Sequence, residues 1–163
     1  MKTLYFECLM GASGDMLTSA LLELVQSPNE TINMLNFIGL PNTVFLKERK
    51  EKCGILGTHI KVIINGEEEH EHTHEHTHGH SLLDIVKIID DLNIPQSVKA
   101  DAISVYKIIA DAESKVHNKK VTEIHFHEVG TLDAIADVTA ACYLINKINP
   151  DKICASPINT GSG

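Results

Sequence analysis

Apolar positions in this chain change their period several times, and each change marks an element. Thr3 to Leu9 is a short extended run that enters Gly11-Ala-Ser-Gly-Asp-Met16, after which Leu17, Ala20, Leu21 and Leu24 recur at helical spacing. The pattern predicts a strand, a glycine turn and a helix. Ser27-Pro28-Asn29-Glu30 combines an N-cap serine, a proline at the first helical position and a glutamate three residues after the cap. That combination predicts a second short helix, anchored by Ile32, Leu35 and Phe37. From Thr43 to Ile64, extended segments rich in valine and isoleucine flank Cys53-Gly54-Ile55-Leu56-Gly57, which predicts a hairpin with a long turn.

Residues 66 to 80 carry glutamate, histidine and threonine with no apolar anchor, so burial cannot offset their ordering entropy and a mobile loop is expected. Ser81-Leu-Leu-Asp84 is a capping box opening a helix with Leu82, Ile85, Val86, Ile89 and Leu92 on one face. Pro95 starts the next helix, where Val98, Ala102, Val105, Ile109, Ala112 and Val116 predict an amphipathic scaffold of about 20 residues. After a polar turn come Ile124-His-Phe-His-Glu-Val-Gly130, a helix carrying Ile135, Val138, Ala141, Leu144, Ile145 and Ile148, and a last strand through Ile153. The alternation predicts an α/β fold, with mixed α+β as its variant, in which helices cover a sheet.

Composition narrows the class. At 163 residues the chain suffices for a single domain with a real core, and the tail after Ser156 reads as the start of a loop in a longer protein. The net charge of -8 argues against nucleic acid or an anionic membrane as partner and suits cations. Cys8, Cys53, Cys142 and Cys154 form no CxxC pair, so a reducing compartment is expected, and the N-terminus lacks the pattern of a signal peptide. No apolar run approaches membrane-spanning length. A cytoplasmic location follows as the expectation.

Three constellations carry chemistry. His70, His72, His74, His76, His78 and His80 alternate with glutamate, threonine and, last, Gly79, and neutral imidazoles on one segment bind nickel, copper, zinc or cobalt. The tract alone does not select among these metals. His125, His127 and Glu128 precede Asp133 and Asp137, which share a helix face one turn apart, so imidazoles and carboxylates are expected to converge around a borderline transition metal. The bland alternative makes Asp133 a helix-dipole partner and the histidines surface residues. Gly11 to Met16, with Gly11, Ser13, Gly14 and Asp15, offers backbone amides at a helix N-terminus to a phosphate or carboxylate, although simple capping by Ser13 and Asp15 explains the same residues. The glycine loop and residues 125 to 137 are expected to face each other across a pocket.

Taken in order, Glu7-Cys-Leu-Met-Gly-Ala-Ser-Gly-Asp-Met16, the histidine-rich insertion, His125-Phe-His-Glu-Val-Gly130 with Asp133 and Asp137, and Ser156-Pro-Ile-Asn-Thr-Gly-Ser-Gly163 resemble the N-terminal half of LarC-type nickel-insertion proteins. Glu7 stands where the family pattern carries aspartate, and Met10 where it carries a small residue. The resemblance implies insertion of nickel into pyridinium bisthiocarboxylic acid mononucleotide, the precursor of the nickel-pincer cofactor used by lactate racemase and related enzymes. It implies CTP hydrolysis with manganese or magnesium at a site in a C-terminal domain or separate C-terminal chain. Asp15, His127 and Glu128 would act on the substrate, Gly11, Ser13 and Gly14 would hold it, and the histidines with Asp133 and Asp137 would hold nickel. A nickel storage or delivery module without catalysis needs only the histidine tract, and a zinc-dependent hydrolase would need a three-ligand site that no spacing here demands. Homo-oligomerisation is left open.

Overall fold

A computed structural model of the chain describes residues 1–68, 80–126 and 128–161. It begins with strand β1 (Thr3–Phe6) and helices α1 (Gly14–Leu24) and α2 (Pro28–Leu35), followed by the hairpin of β2 (Thr43–Lys52) and β3 (Ile55–Ile64) and a short β4 (Glu67–Glu68). Then come β5 (His80–Ser81), α3 (Leu82–Asp91), α4 (Gln96–His117), β6 (His125–Phe126), α5 (Leu132–Ile148) and β7 (Lys152–Ala155). The mixed α/β character is as the periodicity predicts. Instead of one covered sheet, the strands among the described residues form three small ones: parallel β1–β7, antiparallel β2–β3–β4 and the two-residue ribbon β5–β6.

The centre is α5, where Ile135, Ala136, Thr139, Ala140 and Leu144 lose all contact with solvent. Against it lies α1 with Leu21 and Leu22 fully buried, and each such leucine contributes about 1.5–3 kcal/mol of apolar transfer. The hairpin adds Phe45, Ile60 and Val62 from its inward face. Side chains close its two edges. Asn36 accepts from the Phe45 N–H at 2.7 Å and donates to the Phe45 carbonyl at 3.1 Å, while Ser19 accepts from Ile60 N–H at 3.0 Å and Glu23 from Thr58 N–H at 3.1 Å. Those Thr58 hydrogen bonds hold the Glu23 carboxyl below its ordinary range.

Several local expectations change. The hairpin turn is two residues, Cys53 and Gly54, both at positive φ, which is the mirror-image turn that matches strand twist; Ile55 to Gly57 continue β3. Ser27 sits at the cap position of α2 with φ of -126° and ψ of 75°, and no side-chain cap bond forms. Phe37 lies after the helix and is exposed, so Ile38 and Leu40 take its place in the core. On α4 the buried stripe is Val98, Ala102, Tyr106 and Ala110, stepping by four. Ala112 and Val116 extend past the packed region into solvent. The capping box at Ser81 and Asp84 forms as predicted. The expectation of a mobile loop, and with it His70, His72, His74, His76 and His78, lies outside the described residues.

Candidate functional site

The parallel pair β1–β7 places two chain segments side by side at its C-terminal end, the end at which open α/β sheets collect ligands. After β1 comes the glycine loop, and after β7 the segment from Ser156. Hydrogen bonds join them: Cys8 N–H donates to Ser156 Oγ at 2.8 Å, Asn159 N–H to the Cys8 carbonyl at 3.1 Å, and Asn159 Nδ2 to the Leu9 carbonyl at 3.0 Å. Gly11 takes φ +90°, which favours glycine, and its N–H is bonded to the Cys8 carbonyl at 3.1 Å. That amide is therefore engaged within the loop. Cys8 itself is buried just beyond the end of β1.

Ser13 occupies the N-cap of α1 without capping it. Its hydroxyl donates instead to Asp15 Oδ1 at 2.5 Å, leaving the first-turn amides of α1 without a side-chain partner from Ser13. Simple capping by Ser13 is thus not what the local structure uses.

Gly14 is where the glycine loop meets the second acidic motif. A Cβ at this position would lie 2.5 Å from Asp137 Cβ and 2.6 Å from its Cγ, and would collide with Oδ2 as well. Only hydrogen fits. Asp137 stands one turn after Asp133 on α5, and its carboxyl is pushed up to about 7, first by burial and then by the charges of Asp133 and Asp15. Three carboxyl groups thus share one field at the start of two helices, where the helix dipoles favour negative charge. Thr131 caps α5 by accepting from Ala134 N–H at 3.3 Å, and Asp133 lies in the first turn.

Sequence did not single out Tyr106 or Thr139. Both hydroxyls are buried with no hydrogen-bond partner among the described residues, and burial followed by the Asp137 charge raises the Tyr106 phenol above its ordinary range. The Tyr106 ring meets Phe126 edge-on at 6.1 Å between centroids, which ties α4 to the start of the second motif. Helical spacing alone favoured Val105 over Tyr106, so the motif carried no signal for it.

Other predicted ligands are distributed differently. His80 pairs with Phe126 and Ser81 with His125 across the β5–β6 ribbon, so His80 shares the face of Phe126 while His125 takes the other face and is exposed. Gly130 packs beneath: an added Cβ would stand 2.6 Å from Phe126 Cβ and 3.7 Å from His80 Cβ. Glu128 is exposed, and its carbonyl accepts from Thr131. Among the described residues, no three His, Cys, Asp or Glu side chains converge closely enough to hold a metal ion. His127 lies outside the described residues. The glycine loop and the second motif meet by direct packing of Asp137 on Gly14. The hollow of about 190 Å³ beside the loop lies between β1 and α1 and is not lined by residues 125 to 137.

The family described as nickel insertion protein matches residues 4–163. A pyridinium-3,5-bisthiocarboxylic acid mononucleotide nickel insertion protein of Clostridium kluyveri is 42% identical over 100% of this chain and 42% of its own length. Proteins of the same name from Acetivibrio thermocellus and Clostridium acetobutylicum are 37% and 36% identical, each over 100% of this chain and over 40% and 45% of their own lengths. The chain spans about two fifths of these relatives. No solved structure matches it. With nearly every residue matched and the glycine loop, second acidic motif and Ser156 segment packed at one end of the fold, the chain belongs to the nickel insertion protein family.

Proposed function

We propose that this chain is the metal-recruiting and substrate-facing part of a protein that inserts nickel into pyridinium bisthiocarboxylic acid mononucleotide, completing the nickel-pincer cofactor of lactate racemase-type enzymes. The observation that carries this reading is the packing of Asp137 directly on Gly14, which brings the N-terminal end of α1 against a cluster of carboxyl groups. A mononucleotide that accepts a metal needs both. Gly11 shapes the loop, while Gly14 and Ser13 present the start of α1 to the substrate phosphate. Asp15, His127 and Glu128 act on the bound precursor. His70, His72, His74, His76, His78 and His80 gather nickel as cargo, and His125, His127, Asp133 and Asp137 hold it in passing. His80 is fixed beside Gly130, so the tract ends against the second motif.

The two thiocarboxylate sulfurs supply soft ligands to nickel. Forming the nickel–carbon bond breaks a pyridinium C–H bond and releases a proton. The full protein would be a CTP-dependent cyclometallase of the lyase class, with CTP and manganese or magnesium bound beyond residue 163, working in the cytoplasm. Among the described residues no helix is long and apolar enough to cross a membrane.

A full-length chimera tests the reading: residues 1–163 joined to the remainder of the Clostridium kluyveri relative, supplied with precursor, nickel, CTP and manganese. Asp137→Ala and Glu128→Ala are expected to abolish cofactor formation with the fold retained. Full activity in both variants would overturn the site assignment. A chimera that retains nickel but never converts precursor would favour storage or delivery.

A further inference from the structure

The β1–β7 sheet differs from the hairpin in how its edges are treated. Asn36 closes the outer edge of β2, and Ser19 with Glu23 closes that of β3. Among the described residues no such group reaches β1. Because the carbonyls of Lys2 and Phe6 both accept from the β7 side, strand alternation turns the N–H and C=O of Thr3 and Tyr5 to the opposite edge. Among the described residues nothing bonds them there.

Alongside that bare edge, α1 carries a second apolar stripe. Met16, Ala20 and Leu24 repeat every four residues and are exposed, Met16 at 45% and Leu24 at 60%, although the opposite face of α1 already packs on α5 and β3. Between stripe and strand runs a groove of about 190 Å³ lined by β1 and α1, and a second hollow of about 510 Å³, which shares its Leu4 and Leu24, is lined also by Lys2 and Thr3 and by Lys147 and Ile148 of α5. A parallel pair normally lies inside a wider sheet covered by helices, and two strands alone are marginal. The relatives have well over half their length outside the stretch matched here.

We infer that a β-strand from the C-terminal remainder of the full-length protein adds to the free edge of β1 and lies under the Met16–Ala20–Leu24 stripe. The strand's apolar side chains fill the groove, and Thr3 and Tyr5 gain backbone partners. The groove begins at Gly11 and Met16, so the added strand also becomes a wall beside the candidate site. The inference rests on the family reading only in taking the remainder of the relatives as the occupant; it does not depend on nickel.

The test compares hydrogen exchange in residues 1–163 alone with that in the chimera carrying the Clostridium kluyveri remainder. The amides of Thr3 and Tyr5 are expected to exchange freely in the short chain and at least 100-fold more slowly in the chimera. Leu24→Asp and Ala20→Arg in the chimera should restore fast exchange at those two amides while α5 amides stay protected. Equal exchange at Thr3 and Tyr5 in both proteins overturns the inference. Protection in the short chain that rises with its concentration, together with a dimer mass in sedimentation, overturns it in favour of a second copy. Nickel retention measured by dialysis on the same samples reports on the functional reading separately.

Discussion

At the scale of single residues, the contact between Gly14 and Asp137 decides most. Gly14→Ala inserts a methyl group into space held by the Asp137 side chain, an overpacking that costs about 1–3 kcal/mol and lowers Tm by roughly 2–4 °C for each kcal/mol. Adding Asp137→Ala should recover much of that loss, because the two substitutions share one space. Additive losses in thermal melts would show that the clash lies elsewhere. Asp137 also predicts a pH dependence. Its carboxyl titrates near 7 in the fold against 3.8 ordinarily, so between those values the folded chain holds a proton that the unfolded chain has released. Stability therefore falls as pH rises from about 4 to about 7 and levels off above. Asp137→Asn removes this penalty: its Tm should exceed the parent's by a few degrees at pH 8 and match it near pH 4.5, as calorimetry at the two values will read. The same proton would compete with a metal bound by Asp137, so nickel retention is expected to be steeper with pH in the parent than in the Asn variant.

At the scale of elements, local chemistry wrote some structure plainly. Ser81 accepts from Asp84 N–H at 3.3 Å and the Asp84 carboxylate accepts from Ser81 N–H at 3.1 Å, so Ser81→Ala should cost about 0.5–2 kcal/mol, seen as a lower urea midpoint with unchanged slope. Asn118 and Asn149 end α4 and α5 in the left-handed conformation that asparagine tolerates. Where the sequence misled, a longer-range condition prevailed. Ser27 and Glu30 have the spacing of a capping box, yet Ser27 enters α2 with φ -126° and ψ 75° and forms no side-chain cap bond, and the helix is held by the burial of Ile32 and Leu35. Val105 and Tyr106 are neighbours on α4, and the aromatic one takes the core because Phe126, twenty residues on, completes its contact. The pairing of β1 with β7 joins residues about 150 apart, a separation no local pattern reports. The candidate site was legible as a set of motifs. Its assembly was legible only as the expectation that the glycine loop and residues 125 to 137 come together; the direct contact in place of a pocket was not, since it is made by a glycine and an aspartate in separate helices.

At the scale of the whole molecule, metal recruitment and chemistry should separate. Replacing His70, His72, His74, His76 and His78 with serine, while keeping His80 in its place beside Gly130, is expected to lower nickel capacity in equilibrium dialysis with little change in Tm. A collapse in thermal stability would make the tract structural. A stronger separation is expected of the chain by itself: residues 1–163 should bind nickel yet neither hydrolyse CTP nor form the pincer cofactor at an appreciable rate. Between Met1 and Gly163 no Walker-type loop occurs, and the relatives are more than twice as long as the matched stretch. Binding a metal needs only ligands, whereas forming a nickel–carbon bond needs precursor, nickel and nucleotide held together, an arrangement that supplies much of the rate through orientation. The assay combines the purified chain with precursor, nickel, CTP and manganese, and follows both cofactor absorbance and nucleotide hydrolysis. Full activity from the short chain would place the CTP site within these residues and overturn the division of labour. Activity that returns only when the C-terminal remainder is added as a second polypeptide would establish a two-part enzyme, and the bare edge of β1 is the surface on which the two parts should meet.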